Sequence, residues 1–160
     1  MCFVKNFLRT LLVCFVFLFV SCRPAPNFDR LRKEILDLHQ MAIDAHLKKD
    51  VGFFTKDISD DYFSVGNGEI RNPAKEEITS QFERYLHSTT FTEYRNLREP
   101  IIGFSRDGSL AWSLVQVKVV GRSPAEFGAE RTFDVTWAWI TLYERKGDRW
   151  IRLGEVSNSK

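Results

Sequence analysis

The chain has 160 residues, of which 44% are hydrophobic, and its 23 basic and 21 acidic side chains give a formal net charge of +2. This length and apolar content are typical of one globular domain. Because the charges nearly balance and form no basic run, there is no electrostatic basis for nucleic-acid binding, and we expect no such partner.

The first segment predicts export. Lys5 and Arg9 precede an unbroken apolar run from Leu11 to Val20. That run is too short to cross a membrane, since a span needs about 20 apolar residues. A basic start, a short apolar core and small residues at its end are typical of a secretory signal peptide, here residues 1–21. Its removal would also remove both charges, leaving a domain with 21 basic and 21 acidic side chains.

The end of this segment, Phe19-Val20-Ser21-Cys22, resembles the signal of bacterial lipoproteins, in which a small residue precedes a lipid-bearing cysteine. The resemblance implies lipid on Cys22 and attachment to a bacterial membrane, on its periplasmic side or at the cell surface. A plain secretory signal with a chance cysteine is the alternative. Once Cys2 and Cys14 leave with the signal, Cys22 has no disulfide partner, and lipidation gives it a role. Arg23 differs from the aspartate that retains some lipoproteins at the inner membrane, which favours the outer membrane.

The residue pattern predicts that helices come first in the mature chain. Residues 22–27 contain two prolines and form a short tether, and residues 28–160 form a single domain. Apolar residues at three- and four-residue spacing predict a helix over 27–49. A shorter helix is expected over 51–58, a strand over 61–65 and a hairpin turn at Asn67-Gly68. A second long helix begins at Pro73.

Strands follow Thr90. Their aromatic and β-branched content predicts strands over 91–99, 101–104, 110–120, 131–144 and 150–156, with a loop over 121–128. Helices followed by long antiparallel strands predict an α+β fold, in which a curved sheet wraps over the helices as a cone with an open mouth.

Two stretches resemble one family. They are "DDYFSVGNGEIRNPAKEEI" (60–78) and "ERTFDVTWAWITLYERKGDRWIRLGEVSNS" (130–159). Their order of strand, Gly turn, helix and closing strand pair resembles the nuclear-transport-factor-2-like superfamily, in its SnoaL-like and ketosteroid-isomerase-like branch. The resemblance implies a cone of about three helices on a strongly bent, mostly antiparallel sheet. It also implies a pocket between helices and sheet, and dimerisation through the outer face of the sheet. Such a fold serves enzymes, ligand binders and assembly modules alike, so it implies no single activity.

The stretch "WAW" raises the question of a pocket. Trp137 and Trp139 are two residues apart, so in a regular strand their rings share one face. That face is a candidate floor for a flat apolar ligand, with indole N–H groups as polar handles. Core packing and a dimer interface are the alternatives, and a bulge would separate the two rings. The predicted pocket residues are Trp112, Gln116, Trp137, Trp139, Tyr62 and Tyr85.

Three side chains are candidate bases. Glu155 lies on the last strand, Asp61 precedes a strand, and His39 lies on the first helix near the edge of its apolar stripe. The isomerase-like branch uses a pocket carboxylate to move a proton beside a carbonyl, and burial raises the pKa of such a group. The catalytic set of that branch does not map onto this chain residue for residue. Asp61 also fits a turn, and His39 also fits packing at a rim.

The sequence predicts neither metal nor cofactor. His39 and His46 are two helical turns apart and do not converge on one ion, and no Gly-rich phosphate loop is present. Two functions stay open. The first is a lipid-anchored module that binds a small apolar ligand or forms a homodimer. The second is an isomerase-, cyclase- or hydratase-type enzyme that acts on a small substrate.

Overall fold

The computed structural model describes residues 25–124 and 129–159. The predicted signal peptide, Cys22 and the first residues of the tether lie outside the described residues. Within those ranges, none of the helices has the length and apolar character needed to cross a membrane.

The helical part of the chain follows the predicted order. In the described ranges it consists of α1 (Phe28–Lys48), α2 (Val51–Thr55) and α3 (Lys75–Ser88). Asn27 caps α1, because its side-chain oxygen accepts the backbone N–H of Arg30 at 3.0 Å. Lys49 ends α1 in the left-handed conformation with φ 59°. The prediction for α2 was too long: it ends at Thr55, because the chain already enters the sheet at Ile58.

Across the part of the chain that the structure describes, seven strands form one sheet. They are β1 (Ile58–Gly66), β2 (Glu69–Arg71), β3 (Thr90–Asn96), β4 (Ile101–Phe104), β5 (Leu110–Pro124), β6 (Glu130–Lys146) and β7 (Arg149–Ser159). Their order is β2-β1-β7-β6-β5-β3, and β4 also pairs with β5. The pairing is antiparallel except between β1 and β7. This mostly antiparallel sheet with three helices confirms the predicted α+β fold.

The predicted loop over 121–128 is wrong for its first half. β5 continues to Pro124, and the β5–β6 register runs unbroken from Leu110↔Glu144 to Pro124↔Glu130. Gly121 fits this strand because it has no side chain: a Cβ there would lie 2.8 Å from the Phe133 ring and 2.6 Å from the Thr90 carbonyl oxygen. Residues 125–128 lie outside the described residues.

Two apolar clusters hold the helices against the sheet. The first buries Leu31 and Ile35 of α1 against Trp150 of β7. The second joins Ala45 of α1 to Phe54 of α2 and Leu86 of α3. The stretch of α1 between Ile35 and Ala45 therefore lies between two packed regions, and its inward side chains face a cavity.

Candidate functional site

A cavity of about 550 Å³ lies between the three helices and the sheet. Residues of α1, α2, α3 and strands β1, β2, β3, β5, β6 and β7 line it, so it is the interior of the cone. Its lining includes the β1–β2 turn at Asn67, where φ values of 52° at Asn67 and 80° at Gly68 make the tight hairpin that the sequence predicts.

The tryptophans of the "WAW" stretch both line this cavity. Because β5 and β6 pair without interruption, no bulge separates the two rings on that side, and the β6–β7 register is also continuous there. Thr141 and Tyr143 continue the same inward face. The Trp139 ring lies 6.2 Å from the ring of His39 on α1, so sheet and helix meet across the cavity.

Trp112 and Gln116 do not belong to this face. On β5 the odd positions are buried and the even positions are more exposed, so these two side chains lie on the outer side of the sheet. The Trp112 ring packs over Gly103 of β4, where an added Cβ would come within 2.2 Å of it. The cavity lining includes neither residue, and this corrects the predicted pocket set.

A bulge in β7 builds the polar floor of the cavity. Leu142 pairs with Gly154 while Tyr143 pairs with Arg152, so Leu153 is an extra residue in β7. Without the bulge, strand alternation would point Arg152 and Glu155 to opposite faces. With it, both side chains line the cavity.

Glu155 is enclosed by the protein yet open to the cavity. It stands opposite Thr141 of β6 and Ser64 of β1, and its partial exposure is that of a cavity wall. Burial raises the pKa of the Glu155 carboxyl group, and the nearby Arg152 charge and the Thr141 hydroxyl act in the opposite direction. A carboxyl group in this setting can exchange a proton closer to neutral pH than one in water.

Four tyrosines surround the same space. Tyr62, Tyr85, Tyr94 and Tyr143 all line the cavity. Burial raises the pKa of each phenol, to about 12 for Tyr85. The charge of Glu155 raises the pKa of Tyr62, Tyr94 and Tyr143 further. These phenols therefore stay neutral at physiological pH and can donate hydrogen bonds into the cavity.

His39 and His46 both lie inside the cone and not at its rim. His39 is buried, and its Nε2 lies 2.7 Å from Asn96 Oδ1. His46 Nδ1 lies 2.7 Å from the Ala42 carbonyl oxygen, which can only accept, so Nδ1 carries the proton. Its Nε2 then faces the Tyr94 hydroxyl at 3.5 Å as an acceptor. Burial lowers both pKa values, that of His46 to about 4, so both rings are neutral near pH 7.

Asp61 lies away from the cavity. Residues 59–62 of β1 stand opposite Leu153 alone, because the β1–β7 register moves from Ile58↔Arg152 to Phe63↔Gly154. Asp61 is exposed to solvent while its neighbour Tyr62 lines the cavity, as strand alternation requires. Of the three candidate bases, the structure therefore places Glu155 and His39 in the cavity and Asp61 outside it.

No group of three or more His, Cys, Asp or Glu side chains within residues 25–124 and 129–159 is arranged to hold a metal ion.

No family model and no curated protein matches the chain. Solved structures do match. A nuclear transport factor 2-like superfamily protein from Salmonella enterica serovar Typhimurium superposes with a TM-score of 0.66 at 12% identity, over 82% of this chain and 92% of that one. The chain has the nuclear-transport-factor-2-like fold. A second protein of this fold, from Cytophaga hutchinsonii, matches with a TM-score of 0.63 at 17% identity, over 81% of this chain and 98% of that one.

An association-domain structure has the same fold. A putative calcium/calmodulin-dependent protein kinase II association domain from Xanthomonas campestris superposes with a TM-score of 0.60 at 15% identity, over 79% of this chain and 86% of that one. Identities this low show the nuclear-transport-factor-2-like fold alone. The predicted resemblance is confirmed at that level, and the activity has to be argued from the site.

Sequence reasoning missed Arg152, Phe54 and the inward role of Tyr94. Arg152 was missed because strand alternation places it opposite Glu155, and no residue pattern marks a bulge at Leu153. The sequence did contain a signal for Phe54: in "GFFTK" (52–56), two adjacent phenylalanines follow the long helix. Both of these phenylalanines line the cavity.

Proposed function

We propose that this protein binds a small, largely apolar ligand inside its cone. The cavity carries this proposal: its volume of about 550 Å³ falls within the range of about 300–1,000 Å³ typical of small-molecule sites. Trp137, Trp139, Phe82 and Tyr85 supply aromatic walls, while Thr141, Arg152 and Glu155 supply polar groups at the floor. Apolar walls with a few placed polar groups are the usual composition of a ligand pocket.

Ligand binding should be visible in tryptophan fluorescence. A bicyclic aromatic probe such as naphthalene or indole is expected to shift or quench the emission and to raise the melting temperature, because binding stabilises the native state. Trp139→Phe should remove a large part of the emission change, since this ring lines the cavity. Trp112→Phe is the matched control and should leave the change intact, since Trp112 lies on the outer face. Equal losses in both variants would contradict binding inside the cone.

We further propose that the domain acts at a membrane surface, through lipid on Cys22. The support is the sequence: a signal-like segment ends at Cys22, and a short tether follows. Cys22→Ser is expected to move the protein from the membrane fraction to the soluble exported fraction, with its melting temperature unchanged. Membrane association that persists in the variant would refute lipid anchoring at this residue.

An enzymatic function is the second candidate, and the setting of Glu155 favours it. A carboxyl group with a raised pKa lies in an aromatic cavity with neutral tyrosine hydroxyls near it. Such a group could take a proton from a carbon beside a carbonyl while a phenol stabilises the oxyanion. The assay follows deuterium exchange or isomerisation of any carbonyl compound that shifts the tryptophan emission. If such a compound binds tightly but shows neither exchange nor turnover, the enzymatic function is wrong and only the binding function remains.

Self-association is supported by the outer face of the sheet. Ile101, Leu114, Ile140 and Val156 are successive register partners across four strands and form an apolar row. Leu114, in this row, is 41% exposed. A row of this kind is suited to pairing with a second copy, and a stable interface buries about 800 Å² on each partner. The fold likeness to association domains is compatible with this role.

Leu114→Lys should disrupt such a dimer, because it places a charge in the apolar row. The expected result is a fall in molar mass by half, measured by light scattering after size exclusion, with the melting temperature of the domain retained at low concentration. Leu47→Lys is the control, since Leu47 is an exposed residue on α1, away from the sheet face. If the parent protein is a monomer in solution, the proposal of self-association is wrong.

A further inference from the structure

We propose that the ligand of this cavity carries a neutral group that both accepts and donates hydrogen bonds, of the carboxamide type, and that this group bridges Arg152 and Glu155. The rest of the ligand is an aromatic ring system that fills the space beside Trp137 and Trp139. This inference rests on the ligand-binding function proposed above and narrows the chemical class of the ligand.

The first support is the placement of two opposite charges on one floor. The bulge at Leu153 turns Arg152 to the same side as Glu155, and both side chains line the cavity. They are close enough for each charge to act on the other, yet none of the ion pairs of the described residues joins them. The two charged groups are therefore not paired with each other, and each can interact with a ligand group at the floor.

The second support is that both side chains retain hydrogen-bonding capacity. One Arg152 nitrogen, Nη2, donates to the Phe54 carbonyl oxygen, and the guanidinium carbon lies 6.0 Å from the centre of the Phe54 ring. These contacts fix the orientation of the guanidinium group and leave further N–H groups. Within the described residues, Arg145 Nε is the one buried side-chain nitrogen or oxygen without a partner. The remaining polar atoms of Arg152 and Glu155 are therefore either bonded or open to the cavity.

The third support is charge balance. The charged side chains that line the cavity are three cations and three anions: Lys56, Arg71, Arg152, Asp57, Glu69 and Glu155. An anionic ligand group at the floor would gain the attraction of Arg152 and meet the repulsion of Glu155, and a cationic group would meet the reverse. Either group would also lose its hydration. A carboxamide avoids both costs, because its oxygen accepts from Arg152 while its N–H donates to Glu155.

Three probes on one ring system test this inference: 2-naphthamide, 2-naphthoate and 2-naphthylmethylamine. Affinities are measured at about pH 8, because a higher pH shifts Glu155 toward its ionised form, which burial disfavours. The amide is expected to bind about tenfold or more tightly than either charged probe. Glu155→Gln should raise the affinity for the naphthoate, and Arg152→Gln should raise the affinity for the amine, since each variant leaves one charge of the floor unopposed.

A control variant separates the floor from the overall charge. Glu69→Gln makes the same charge change at an exposed position of the lining and should alter the three affinities by no more than about twofold. If Arg152→Gln does not fold, the order of the three affinities in the parent protein and in Glu155→Gln still tests the inference. A charged probe that binds the parent as well as the amide does, or a Glu155→Gln variant that keeps the parent ranking, would overturn this inference while ligand binding stands. If neither these probes nor naphthalene shifts the emission or the melting temperature, the proposed binding function itself fails.

Discussion

Replacement of Phe54 by alanine is expected to lower the free energy of unfolding by about 3–5 kcal/mol. The Phe54 side chain is 3% exposed. Its ring stacks on Phe82 with centroids 4.5 Å apart and meets the edge of His46 at 4.6 Å. Removing the ring would leave a cavity between α2, α3 and α1, and the surrounding side chains can collapse into it only in part. Urea unfolding followed by tryptophan fluorescence gives the free energy directly.

The matched control for Phe54 is Leu47→Ala. Leu47 is 48% exposed on α1, so its truncation should change stability by less than about 0.5 kcal/mol. Phe54→Leu keeps most of the volume and is expected to lie between the two. Phe54→Ala should also remove the contact between the Arg152 guanidinium group and the ring, while the backbone carbonyl oxygen to which Arg152 donates stays in place. A loss of less than about 1 kcal/mol in Phe54→Ala would show that α2 does not pack as tightly as the geometry indicates.

The sequence was sufficient for the order of elements because local signals agree with the fold. Asn27 caps α1, and Asn67-Gly68 forms the hairpin turn that its residues favour. The placement of both tryptophans of "WAW" on one face followed from strand alternation, and the unbroken β5–β6 register preserves it. Where a feature depends on one strand and its regular period, the residues suffice to predict it.

The floor of the cavity could not be predicted in this way, because it depends on a break in that period. The bulge at Leu153 reverses the facing of Arg152 relative to Glu155. Asp61 and Tyr62, in contrast, lie on opposite sides of β1 as strand alternation requires. Bulges are set by how neighbouring strands pair, which no local pattern of residues records. The deep position of His46 could not be predicted either, because it depends on tertiary contacts: the aromatic rings around it come from α2, α3 and β3.

The same burial makes the stability of the protein depend on pH. The pKa of His46 falls from an ordinary 6.5 to about 4 in the folded protein, mainly because burial disfavours the charged ring. Between these two pH values the unfolded chain binds more protons at this residue than the folded chain does. The free energy of unfolding therefore rises with pH across this window, by about 1.4 kcal/mol for each pKa unit, or about 3 kcal/mol in all.

Two other groups in the cavity act on the same profile. The pKa of His39 is also lowered by burial, so it adds to the rise. Glu155 acts in the opposite sense: its pKa is raised, so its contribution to stability is present below the ordinary carboxyl pKa and is lost as the pH rises through the folded value. The net slope of the parent protein is the sum of these effects, and a single-residue comparison is needed to isolate His46.

His46→Gln supplies that comparison, because glutamine does not titrate. The difference in unfolding free energy between parent and variant should depend on pH between about 4 and 6.5 and be flat above that window, where His46 is neutral in both the folded and the unfolded chain. His87→Gln is the control for the substitution itself, since His87 is exposed on the last turn of α3. Urea unfolding at half-unit pH intervals measures both series. A His46→Gln series parallel to the parent would mean that water reaches the His46 ring and that this end of the cone is open to solvent.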